Sequence, residues 1–138
     1  MYTSIASRSA NAYKRVAVDT SLDGASPHQL VVLLFDELLR SIELARRAIE
    51  KGNVPEKVKH IGKALRILEE GLRAPLNLAA GGELAANLHA LYEYCGHKLV
   101  HANARSDAAT LREVTSLIAP IAESWKQIGG ASHVSRAS

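Results

Sequence analysis

Apolar residues recur every three or four positions in four separate stretches of this chain, and each stretch is fenced by residues that start or stop helices. That pattern constrains the fold more than any other feature. A period near 3.6 lines one face of a helix with apolar side chains, and such a face needs a partner surface to bury it. The first stretch opens at Ser26-Pro27, a cap followed by proline at the first helical position, and closes at Lys51-Gly52, where glycine supplies a left-handed stop. Val31, Leu34, Phe35, Leu38, Ile42, Ala45 and Ile49 form its stripe, on a helix roughly 36 Å long.

The second stretch starts at Asn53-Val54-Pro55-Glu56, with Asn53 as cap and Glu56 three places on, and carries Val58, Ile61, Leu65, Leu68 and Leu72. Pro75 bends or ends it, and Gly81-Gly82 mark a loop. The third starts near Glu83 with the stripe Leu84, Leu88, Leu91, Cys95, Leu99 and Ala102. The fourth follows Ser106-Asp107 with Leu111, Val114, Ile118, Ile121, Trp125 and Ile128, and Pro120 inside it should kink it. A weaker helical segment, residues 3–18, precedes these and joins through Ser21-Leu22-Asp23-Gly24-Ala25; after Gly129-Gly130 the chain turns small and polar. Short connections between long helices imply antiparallel neighbours. The expected fold is therefore all-α: an antiparallel up-down four-helix bundle with an additional short N-terminal helix. Residues 1–130 are expected to form one domain, with 1–20 a mobile N-terminal segment and 131–138 a disordered tail.

A chain of 138 residues suits a single domain that needs no metal or disulfide to hold it. Its one cysteine, Cys95, excludes an internal disulfide and suits a reducing compartment. No signal peptide is visible and no apolar run approaches the roughly 20 residues that span a bilayer. A cytoplasmic protein without membrane insertion is expected. The net charge of +3 is mild, and basic residues alternate with acids across Arg40, Glu43, Arg46, Arg47, Glu50 and Lys51. That alternation describes a solvated helix surface better than a nucleic-acid-binding face, which clusters cations among stacking aromatics.

Catalytic motifs are missing: there is no G-x-S-x-G, phosphate-binding loop or CxxC. Glu93, His97 and His101 stand four residues apart on one helix, a metal-ligand spacing, yet no further ligand from another element is indicated, so a polar outer face is the plainer reading. Cys95 lies in an apolar stripe and reads as a small core residue. His28, His60, His89 and His133 show no partners, and Trp125 reads as core at one end of the bundle. No enzyme activity, cofactor or metal is expected.

Apolar surface is left over once these stripes are assigned. With Val31 at zero and about 100° per residue, Leu33 and Leu44 fall near 200–220° and Leu30 and Ala48 near 260°, on the far side of the first long helix. Ile67, flanked by Ala64, Gly71 and Ala74, stands opposite the stripe of the second, and Ala86, Ala90, Val100 and Ala104 make an outer strip on the third. Either the N-terminal segment or a second copy covers these ridges, or they form a groove for an amphipathic segment of another chain.

The order of residues along the chain resembles the flagellar secretion chaperone FliS family. Met1-Tyr2, Ala12-Tyr13 with Val16, Ala25-Ser26-Pro27-His28-Gln29-Leu30 and Leu33-Leu34-Phe35-Asp36 carry the resemblance at the N-terminal side. Gly81-Gly82-Glu83-Leu84-Ala85-Ala86-Asn87-Leu88, Leu91-Tyr92-Glu93-Tyr94, Leu99, Ala102-Asn103, Leu111, Glu113-Val114 and Trp125 carry it onward. Asn77 after Leu76, Phe35, Cys95 and Pro120 depart from the usual pattern. The resemblance implies a helical bundle that binds the C-terminal segment of flagellin, prevents premature polymerisation and delivers it to the flagellar type III export gate. An adaptor serving another export component is the alternative. The implied partner-binding residues are Tyr2, Ile5, Tyr13, Val16, Leu30, Leu33, Leu44, Ala48, Ile67, Ala86, Ala90, Tyr94 and Val100. Residues 3–18 are expected to cover part of the groove until the partner arrives.

Overall fold

The computed structural model describes residues 26–137, with side chains from 26 to 128. Tyr2, Ile5, Tyr13 and Val16, and with them the expected N-terminal helix and its covering role, lie outside the described residues. Among the described residues the chain is all-helical: α1 (Pro27–Glu50), α2 (Val54–Arg66), a π-helical segment (Ile67–Arg73), α3 (Leu78–Arg105) and α4 (Ala108–Ala137).

Side chains fence these helices. Ser26 Oγ accepts from the Gln29 backbone N–H at 3.1 Å while the Gln29 side chain accepts from Ser26 N–H at 2.8 Å, a reciprocal cap. At the far end of α1 Gly52 adopts φ +70° and Asn53 N–H reaches back to Ala48 O at 2.8 Å, closing the helix on its own carbonyls. Asn53 and Asp107 cap α2 and α4 by accepting from the N–H groups of Glu56 and Thr110, both at 3.2 Å. The start of α3 differs from expectation. Asn77 caps a short turn from Leu78, and the helix then breaks at Gly82, whose φ of +60° and ψ of −142° only glycine adopts readily, before running on. Helix α4 passes Pro120 and continues through the Gly129-Gly130 pair to Ala137, where the sequence predicts a stop and a disordered tail.

The core unites Leu34, Phe35, Leu38 and Ile42 of α1, Ile61 and Ala64 of α2, Cys95 and Leu99 of α3, and Leu111, Val114 and Ile118 of α4. Helix α1 packs on α2 and α4, and α3 packs on α4, α2 and the π segment. Every stripe holds at its centre, and those of α2, α3 and α4 fail at an edge. Val58, predicted core, is 48% exposed, because the inward face of α2 runs through Lys57, Ile61 and Ala64 instead. Leu84 and Ile128, also predicted core, are exposed.

Ile67 turns inward with that same face of α2, three residues on from buried Ala64 and with its N–H still bonded to Lys63 O in α-helical fashion, and the π segment then follows. Ala74 N–H donates to Glu69 O, five residues back, so the segment fits one more residue into its turn than an α-helix does. Ile67 and Leu68, and then Gly71 and Leu72, all turn inward. A side chain in place of Gly71 would meet Leu34 at 3.1 Å, so glycine permits the close approach to α1.

Candidate partner-binding surface

On α1 the outward pair predicted from periodicity divides from its flank. Leu33 is 37% exposed and Leu44 is half-buried, whereas Leu30 and Ala48, expected beside them, are buried. The cause is the width of the buried arc. Helix α1 meets two neighbouring helices, so its inward face extends to about −100° on the wheel, where Leu30, Ser41 and Ala48 lie. Ile67 is likewise corrected: at 1% exposure it belongs to the core, for the helical reason given above.

Leu33 and Leu44 are separate anchors, not a continuous ridge. Eleven residues place them about 16 Å apart, and between them Glu37 pairs with Arg40 at 3.4 Å and with Lys63 of α2 at 2.8 Å. Beside Leu44, Glu43 binds Arg46 at 2.6 Å and Arg47 at 3.2 Å, and Arg46 also reaches Glu50. The Arg46 guanidinium holds the Glu43 carboxyl below its ordinary value, with Arg47 assisting. These pairs are water-exposed and solubilise the helix more than they stabilise it. Leu44 also shares a shallow depression with Ala48, Lys51, Asn53 and His60 at the α1–α2 turn.

On α3 the outer strip stands as predicted. Ala86, Ala90 and Ala104 are exposed and Val100 is 55% exposed. Tyr94, 42% exposed, borders that strip on the α4 side. Its hydroxyl donates to Glu113 Oε2 of α4 at 2.6 Å, and Lys98 Nζ lies 5.3 Å from the ring centroid. The Glu113 bond raises the Tyr94 hydroxyl pKa, because a neighbouring carboxylate disfavours a phenolate. Helices α1 and α3 each pack on α2 and α4, so their outward faces point away from one another across the core. One straight segment cannot touch both. A partner engaging Leu33 and Val100 together must pass around the molecule.

The other candidates resolve as structural. Cys95 is fully buried, and burial pushes its thiol up to about 11, far from a reactive thiolate. Among the described residues no three His, Cys, Asp or Glu side chains group as a metal site; Glu93 and His97 face solvent and His101 lies 3.9 Å from Asp107. Three histidines have partners that spacing did not disclose: His28 with Trp125, His60 with Glu56, and His89 with Arg73. Among the described residues no helix is long and apolar enough to cross a membrane.

Residues 9–132 match the family model described as flagellar protein FliS. The chain belongs to the FliS family. It is 44% identical over 117 residues to the flagellar secretion chaperone FliS of Salmonella typhimurium, covering 85% of this chain and 87% of that protein. It is 40% identical over 116 residues to the flagellar secretion chaperone FliSB of Pseudomonas aeruginosa, covering 84% and 91%. To FliS of Bacillus subtilis it is 34% identical over 116 residues, covering 84% and 82%. FliS membership therefore spans the outward faces of both α1 and α3 as well as the core between them, and the chain is a flagellar secretion chaperone.

Proposed function

We propose that this chain holds the C-terminal segment of flagellin in the cytoplasm, keeps it from polymerising early, and passes it to the flagellar type III export gate. The observation that carries the reading is apolar and aromatic surface displayed on two helices on opposite sides of the core, in a chain of the FliS family. An unfolded partner tail suits such a surface. It can wrap from Leu33 and Leu44 to Ala86, Ala90, Tyr94 and Val100, and gain helix as it buries its own apolar stripe. Ordering a tail consumes part of the contact energy, so spaced anchors around the circumference matter more than a single deep pocket.

The reading includes an antiparallel up-down bundle. Cross-helix pairs support it: Glu50 at the end of α1 lies 4.0 Å from Arg112 early in α4, while Asp36 lies 3.3 Å from Lys126 late in α4. Lys57 early in α2 bonds the end of α3, and Arg73 after α2 meets His89 early in α3. An up-down bundle presents four outward faces along its length, which a wrapping segment can follow.

Titration calorimetry with full-length flagellin and with flagellin lacking its C-terminal segment tests the proposal. Binding of the first and loss of heat with the second is expected. Equal binding of both, or of neither, would overturn it.

A further inference from the structure

Exposed tyrosines on helices are ordinarily free to swing, and Tyr94 is not. Two contacts hold it, and a third braces the two residues that make them. Its hydroxyl donates to Glu113 Oε2 at 2.6 Å, the Lys98 ammonium stands 5.3 Å from its ring centroid, and Lys98 Nζ lies 3.7 Å from Glu113 Oε1. Glu113 belongs to α4, so the ring is tied to a different helix from the one that bears it. Two fifths of the residue nevertheless faces water. A tie that served only to join α3 to α4 would not need an aromatic ring, since Lys98 and Glu113 already pair across the same seam.

The ring also sits where a partner helix can reach it. One turn toward the N-terminus lies Ala90 and two turns back Ala86, both exposed, with neither side chain tall enough to hold a neighbour away. Tyrosine is enriched among the residues that dominate binding energy, because it offers large area for two rotatable bonds. Fixing those bonds beforehand removes an ordering cost that binding would otherwise carry.

We propose that Tyr94 is an aromatic anchor of the partner-binding face and that Glu113 and Lys98 are positioning residues which set its ring before the partner arrives. The proposal rests on the flagellin reading and specifies which part of the α3 face carries it. Glu113 and Lys98 act through the ring, so their effect on binding vanishes once the ring is gone.

Affinity for a flagellin C-terminal peptide is measured for the wild type, Tyr94→Ala, Glu113→Ala and the double variant, with melting temperature alongside. Tyr94→Ala should weaken binding at least about tenfold, the scale of a hot-spot residue. Glu113→Ala should weaken it about threefold to tenfold, and the double variant no more than Tyr94→Ala alone, the non-additivity of coupled residues. Additive losses would mean Glu113 touches the partner itself, and unchanged affinity for Tyr94→Ala would make the cluster a surface tie only; either overturns the proposal. If Tyr94→Ala lost its helical spectrum, Tyr94→Phe would decide. It severs the same hydrogen bond as Glu113→Ala, so the two single changes and their combination should weaken binding alike, and unlike effects overturn the proposal. A wild type that ignores the peptide would instead remove the flagellin reading beneath it.

Discussion

The imidazole of His28 stacks on the indole of Trp125, with ring centroids 5.0 Å apart and planes 7° from parallel. The contact is reciprocal through the backbone as well. His28 Nε2 lies 2.7 Å from the Trp125 carbonyl, which it reaches by donating a proton, and Trp125 Nε1 donates to the His28 carbonyl at 3.3 Å. The first turn of α1 is thereby clasped to α4, 97 residues later. His28→Ala removes the stack and one of the two bonds, at a cost of about 1–2 kcal/mol. The melting temperature should fall by several degrees, and the emission of this single tryptophan should shift as its packing loosens. An unchanged midpoint would show that the clasp forms without stabilising the fold.

Lys57 is buried, and its ammonium donates to the Asn103 carbonyl and to Ser106 Oγ, both at 2.8 Å. Ser106 occupies the left-handed region at φ 51°, an uncommon state for a side-chain-bearing residue. The lysine thus satisfies the end of α3 while its stem fills the core edge, where a cation also favours the helix C-terminus. Lys57→Met keeps the stem and strands the carbonyl, which should destabilise by about 1–3 kcal/mol. Chemical denaturation checks this; a midpoint equal to the wild type would contradict the capping role.

Asp107 accepts from Thr110 Oγ1 at 2.8 Å and from Thr110 N–H at 3.2 Å, and these bonds hold its carboxyl below the ordinary value. A depressed folded-state value means that the carboxylate contributes stability at pH above its unfolded value of about 3.9 and loses it as pH falls through the folded one. Asp107→Asn retains a capping oxygen without the charge. Between neutral pH and pH 2 the wild-type melting temperature should therefore drop further than that of the variant. Parallel curves would remove Asp107 from the acid transition.

Much of this architecture was legible in the sequence, and where it was not the reasons are physical. Ser26, Gly52, Asn53 and Asp107 mark helix ends because capping is local, settled within three or four residues. Leu34, Leu38, Ile61, Leu99 and Val114 were legible as core because they sit at stripe centres. Leu30, Ala48 and Ile67 were misplaced because a wheel assumes one inward direction. Helix α1 has two neighbouring helices, and the inward face of α2 is turned from Val58 toward Lys57 and Ala64, which carries Ile67 inward. Val58 was misjudged because Lys57 can bury its stem when acceptors wait at the end of α3, a long-range coincidence that periodicity does not encode. Leu33, Val100 and the Ala86–Ala90 strip came through as outward because nothing long-range contests them. The Tyr94–Glu113–Lys98 cluster spans two helices, and Glu113 shows no local pattern that would have paired it with Tyr94.

Whether the outward face of α1 captures flagellin is decided by one binding measurement on Leu33→Asp combined with Leu44→Asp. Leu33 faces solvent and Leu44 is half-buried, so the pair should lower the melting temperature modestly. Leu38→Asp, which places a charge at a fully buried position, should unfold the protein. Burial of each leucine against a partner contributes on the order of 1.5–3 kcal/mol, so losing both should weaken binding by at least about a hundredfold. The expected result is a folded double variant whose calorimetric titration with flagellin shows no capture at concentrations that saturate the wild type. Wild-type affinity in the folded double variant would contradict the account and move the binding face off α1.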